Sequence, residues 1–109
     1  MSSINIVVII EKGVIFMSKR FELGQLVSTA AVHAKRELDP EFAKFVSDSF
    51  LRYINGDWGE LSESDAKLND EAIDTGERIH GTYKNDIWTI WIITEWDRSV
   101  TTILFPEDY

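Results

Sequence analysis

Cysteine is absent from all 109 residues. That excludes a disulfide scaffold, a thiolate zinc site and a cysteine nucleophile. Histidine is scarce, and His33 and His80 fall in unrelated elements with no third ligand placed near them, so both are expected to pack or face solvent and no metal site is assigned. Bases are few as well: 11 Lys and Arg stand against 19 Asp and Glu, a net charge of −8. Such a charge opposes attraction to phosphate backbones and anionic lipid, so neither nucleic acid nor membrane is an expected direct partner. No apolar run reaches the roughly 18 residues of a membrane helix. Ile4–Ile10 is also short for a signal-peptide core, with no base before it and no small-residue cleavage site after it. A cytoplasmic protein is expected. A Gly-rich phosphate loop, a nucleophile elbow and a metal-ligand run are all lacking, and no cofactor is expected.

What remains is enough for one core. Apolar residues make up 44% of the chain and aromatics 12%, with four Trp, which argues against disorder. Residues 1–16 read apart from the rest. Glu11-Lys12-Gly13-Val14 is encodable as GAA-AAA-GGA-GTN, which contains the bacterial ribosome-binding string AAGGAG at a normal distance before Met17. The natural start is therefore expected at Met17, with 17–109 as a single domain. The alternative is an extra hairpin of Ile4–Ile10 and Val14–Phe16 over Glu11-Lys12-Gly13.

The patterning predicts an α+β fold: a short N-terminal strand, three helices, and a C-terminal three-stranded antiparallel meander packed on the helices. Phe21–Val27 alternates as a strand. Ser28 is placed to cap a first helix over Thr29–Leu38. Asp39-Pro40 opens a second, whose apolar stripe runs through Phe42, Phe45, Val46, Ser49, Phe50, Tyr53 and Ile54 to a stop at Asn55-Gly56. Ser62 and Asp65 form a capping-box pattern for a third helix, thin in apolar residues, that stops at Gly76. Arg78–Lys84, Ile87–Trp96 and Val100–Phe105 carry the β-branched and aromatic residues of strands. A two-residue turn at Asn85-Asp86 would set Tyr83 opposite Trp88 and His80 opposite Trp91, and closure at Trp96–Ser99 would set Ile92 opposite Ile103. One face, with Ile79, Tyr83, Trp88, Ile90, Ile92, Ile103 and Phe105, is expected to meet the helices. The other exposes Ile87, Trp91, Ile93, Val100 and Leu104, whose burial is worth roughly 10 kcal/mol. A cover is expected there: the N-terminal segment, the Phe21–Val27 strand, a partner, or a second copy docking on Ile87, Trp91, Ile93 and Leu104.

Two stretches, Gly56-Asp57-Trp58-Gly59-Glu60-Leu61 and Trp91–Tyr109, are the most specific part of a resemblance that begins at Phe21–Val27 and covers most of the chain from Met17. The sequence there resembles a family of short proteins of plasmids and integrating conjugative elements, commonly called plasmid-related proteins. Val27–Phe50 matches only loosely, and Trp96 stands where that family more often has a small residue. The resemblance carries no activity. It implies a mobile-element setting, and so proteins that assist transfer or blunt host defences.

Three groups of residues are candidates for function. Glu95, Asp97 and Arg98, with Ser99 and Thr101, gather at one hairpin tip, where carboxylates and a base suit acid–base or metal chemistry. No nucleophile accompanies them, and a hydrogen-bonded turn, with Arg98 pairing to a nearby acid, is the favoured reading. Trp58, between two glycines, is either an exposed recognition anchor or a plug over the core. Residues 57–77 carry Asp57, Glu60, Glu63, Asp65, Asp70, Glu71, Asp74 and Glu77 against the single base Lys67. Carboxylates three or four apart on a helix lie roughly 5–6 Å from each other, close to the spacing of phosphates along a nucleic-acid strand. The face either mimics nucleic acid toward a basic groove or is simply solvated.

The expected function is a small non-catalytic interaction protein of a mobile element, an acidic inhibitor of a host nucleic-acid-handling or defence protein of anti-restriction or anti-CRISPR type. Its partner is expected to be a basic, nucleic-acid-binding protein met through Trp58, Glu63, Asp65, Asp70, Glu71 and Asp74. The alternative is a small hydrolase or nuclease using Glu95, Asp97 and Arg98.

Overall fold

Asp39 and Pro40 open the longest helix as their chemistry requires: the Asp39 carboxylate accepts from the backbone N–H groups of Glu41 and Phe42, both at 3.1 Å. In the computed structural model, which describes residues 9–10 and 20–109, this helix is α2 (Pro40–Ile54). Before it come β1 (Ile9–Ile10), β2 (Gln25–Ser28) and α1 (Ala30–Leu38). After it come α3 (Glu63–Thr75), β3 (Ile79–Lys84), β4 (Thr89–Thr94), β5 (Val100–Leu104) and a 3-10 turn at Pro106–Asp108. The hairpin expected over Glu11-Lys12-Gly13 lies outside the described residues, although Ile9 and Ile10 pair antiparallel with Ser28 and Val27.

The α+β class stands, but the meander is not a separate three-stranded sheet. β3, β4 and β5 continue into a mixed sheet of order β1-β2-β5-β4-β3, in which β2 runs parallel to β5 with Gln25 opposite Val100 and Ser28 opposite Ile103. Two-fold alternation marks a segment as a strand without naming its neighbour. The clue to a central β5 lies in its burial, since Thr101, Thr102, Ile103 and Leu104 are all shielded. The same pairing moves the cap of α1. Ser28 is held in the sheet, so Thr29 becomes the N-cap, and its hydroxyl accepts from Val32 N at 3.3 Å.

The first hairpin also departs from expectation. Asn85 Oδ1 accepts from Ile87 N (2.9 Å) and Trp88 N (2.8 Å), and Asn85 N donates to Trp88 O, so Asn85–Trp88 is a four-residue turn. Tyr83 therefore faces Ile90 and His80 faces Ile93, while Thr82 faces Trp91. A shift of two residues preserves the pleat, so every side chain keeps its face. Ile92 does face Ile103.

Ile79, Tyr83, Ile90, Ile92 and Ile103 pack against Val32, Phe42, Val46, Phe50 and Tyr53, with Trp88 and Phe105 at the margin. Phe42 sits 5.2 Å from the Trp88 ring and 5.5 Å from Phe105. On the opposite face, two of the four residues expected to dock a second copy are already covered. Ile93 and Leu104 are buried within the single chain, as is Val27. Trp91 is half-buried with Tyr109 of the C-terminal turn against it, at a centroid separation of 5.8 Å. Ile87 is exposed, but it belongs to the turn and not to β4. The strand expected over Phe21–Val27 forms only at Gln25–Ser28, and it joins the sheet at β5 without lying across this face.

Candidate functional site

The loop from Asp57 to Leu61 closes the exposed edge of β3. Thr82 N donates to Trp58 O at 3.1 Å, and Glu60 N donates to Thr82 O at 2.7 Å. Gly59 makes this approach possible: it adopts φ of 79°, and a Cβ there would overlap the Thr82 carbonyl. Asp57 braces the turn. Its carboxylate accepts two bonds from Arg52, at 2.8 and 3.2 Å, and one from Gly59 N. The Arg52 guanidinium holds the Asp57 carboxyl below its ordinary value. Tyr83 donates to the Asp57 carbonyl at 2.7 Å, and burial pushes its hydroxyl pKa up.

Trp58 is the plug and not the anchor. It is buried, packs against Phe21 and Tyr53, and donates its indole N–H to Asp70 at 3.0 Å. Two residues expected at a partner surface are thus occupied by the fold: Trp58 offers no open face, and Asp70 serves Trp58 while also pairing with Arg20 at 3.8 Å.

α3 lies along β3 and is held mainly by polar ties. Leu68 is exposed, Ala72 is buried, and Ala66 and Ile73 are only partly covered. The buried polar residue of the helix, Asn69, donates to His80 O at 2.7 Å and accepts from His80 N at 3.3 Å. Its amide reproduces the two bonds of a neighbouring strand, so both outward peptide groups at His80 and Thr82 are satisfied. An asparagine in mid-helix, unfavourable there by propensity, was the only sequence signal of this role. The His80 ring lies 4.7 Å from Trp91, tilted 58° to it, and burial, with Arg78 nearby, lowers its pKa.

The hairpin tip brings Glu95, Asp97 and Arg98 together, each bonded to the protein's own groups. Asp97 Oδ1 accepts from Ser99 N and Oγ, at 3.1 and 2.6 Å, which depresses its pKa. Glu95 pairs with Arg78 at 3.5 Å. Arg98 does not pair with an acid as expected. Its guanidinium donates to the carbonyls of Glu77 (2.6 Å), Ala72 (2.8 Å) and Glu95 (3.2 Å), fastening the C-terminal end of α3 to the hairpin. Arg98→Ala is accordingly expected to lower stability by about 1–2 kcal/mol, since charged donors contribute more than neutral ones and water recovers part of the loss. Urea melts check this, and an unchanged midpoint would show that the ties are slack. Among the described residues, no three Asp, Glu or His side chains gather as ligands of one metal ion.

The chain matches no protein-family model, no curated protein and no solved structure. The site therefore rests on its own geometry. All eight acids of 57–77 are exposed, and among the described residues Glu63, Asp65, Glu71 and Asp74 make no ion pair. Beneath them, Leu61, Asp65, Leu68, His80, Thr82 and Trp91 line a groove of about 320 Å³ between α3 and the sheet. The groove was not anticipated, because it depends on which way α3 crosses the edge of β3.

Proposed function

We propose that this is an interaction protein that presents the outer side of α3 to a basic protein partner. The observation that carries the reading is the run of unpaired, exposed carboxylates Glu63, Asp65, Glu71 and Asp74 on a helix with little apolar anchorage. Concentrated like charge destabilises a helix, and solubility would be served as well by spreading it. The resemblance of Gly56–Leu61 and Trp91–Tyr109 to plasmid-related proteins supports a mobile-element setting. In that setting the partner is a nucleic-acid-handling or defence protein of the host, inhibited by occupation of its basic groove.

The test is affinity capture from a bacterial lysate with mass spectrometry, run beside the triple variant Glu63→Lys, Glu71→Lys, Asp74→Lys. Asp70 is left intact because of its bond to Trp58. The expected result is a basic partner retained by the parent protein and lost by the variant. Its association at low salt should slow by about tenfold or more on charge reversal. A captured partner that associates equally fast with both proteins would remove α3 from the interface.

A further inference from the structure

Resting on that reading, the groove beneath α3 specifies the partner more closely. We propose that it receives an arginine side chain of the partner, stacked on the indole of Trp91 and held at its head by Asp65.

The lining is matched to a group that only donates. Asp65 contributes an unpaired, exposed carboxylate at the helix side, and Thr82 a hydroxyl from the strand side. His80 lies 3.4 Å from that hydroxyl through Nε2, and burial lowers its pKa, so it adds no repelling charge. The Asn69 amide, which also borders the groove, is held to the backbone of His80 through one N–H and its oxygen. Leu61 and Leu68 form apolar walls for a methylene stem, and Leu68 is 62% exposed at the entrance. The volume, about 320 Å³, falls at the small end of the usual range for ligand sites. Arginine fits this lining better than lysine. Its planar guanidinium stacks on an aromatic face and fans five donors toward separate acceptors, whereas an ammonium is a compact, strongly hydrated point charge. Neighbouring Glu71 and Asp74 favour approach of a basic segment without entering the groove.

Blocked tetra-arginine and tetra-lysine peptides at low salt provide the test, followed through the indole and amide N–H resonances of the protein. Tetra-arginine should shift the Trp91 indole and Thr82 amide signals, and bind several-fold more tightly than tetra-lysine. Asp65→Asn and Trp91→Leu should each weaken it by about tenfold, while Glu71→Gln, the same loss of charge outside the groove, should weaken it by about twofold or less. Thr82→Val serves as a third probe should Trp91→Leu fold poorly, and should abolish much of the arginine preference. Equal binding of the two peptides, or equal effects of Asp65→Asn and Glu71→Gln, would overturn the groove assignment while leaving the acidic face as a docking surface. Absence of binding by either peptide would sink both.

Discussion

Replacing Trp58 with alanine is expected to cost about 3–5 kcal/mol, the range for removing a large buried aromatic. The residue is 4% exposed and touches Phe21 and Tyr53, with ring centroids 5.9 and 5.5 Å away. It also holds Asp70 of α3 through its indole N–H. Small domains have total stabilities of about 5–15 kcal/mol, so the variant should be marginally folded at best. Trp58→Phe keeps much of the ring contact and gives up the hydrogen bond, for a smaller loss of about 1–2 kcal/mol. Guanidinium melts of the three proteins measure the difference. A Trp58→Ala loss below about 1 kcal/mol would mean that the loop lifts off the core without penalty, contrary to its burial.

Gly59→Ala should be nearly as damaging, and its comparison with Gly76→Ala separates two causes. Both glycines occupy left-handed backbone, at φ of 79° and 76°. At Gly76 a Cβ meets nothing within 4 Å, so only conformational strain applies, on the order of 1 kcal/mol. At Gly59 the Cβ would overlap the Thr82 carbonyl and push the loop off the β3 edge. The bond from Glu60 N to Thr82 O would be lost with it. A total near 3 kcal/mol is expected from strain plus steric displacement. Equal losses at the two positions, read from thermal or urea melts, would show that the loop yields freely and that edge closure contributes little.

Local chemistry was readable from the chain wherever neighbours in sequence decide it. Asp39-Pro40, Ser62 and Gly76 perform the capping roles their side chains imply, and Phe42, Val46, Phe50 and Tyr53 bury the stripe their spacing describes. The helix-facing side of β3–β5 also followed from alternation alone. Partners distant in sequence did not. Nothing in Gln25–Ser28 indicates a parallel neighbour at Val100–Ile103, and that pairing in turn displaced the cap from Ser28 to Thr29. Asn85-Asp86 has the composition of a two-residue turn, whereas the Asn85 carboxamide oxygen accepts from two backbone N–H groups and widens it to four.

The candidate site divides along the same line. Its charge was visible in composition, and so was the choice between anchor and plug at Trp58. Which of the acids are spoken for was not. Asp57 and Glu60 pair with Arg52 and Asp70 bonds Trp58, whereas Glu63, Asp65, Glu71, Asp74 and Glu77 make no ion pair among the described residues. Arg98 was legible as a turn residue at the Asp97 corner, but its reach to the carbonyls of Ala72 and Glu77 required the packing of α3 against the hairpin.

The core contains a relay of hydroxyls whose direction is fixed at one end. Thr101 Oγ1 donates to Leu23 O at 2.7 Å, so Thr94 must donate to Thr101 and Tyr53 to Thr94, at 2.7 and 2.6 Å. That chain spans β5, β4, α2 and the segment leading into β2, and it can form only after β2 has met β5. Contacts between residues so far apart carry a high loop-closure cost and slow folding. During synthesis, β2, the three helices and the β3–β4 hairpin all leave the ribosome with the middle of their sheet missing. β5 is the strand that joins β2 to β4, so the native sheet cannot close before it has been added, and the unpaired flank of β4 is the surface that a nascent chain must protect until then.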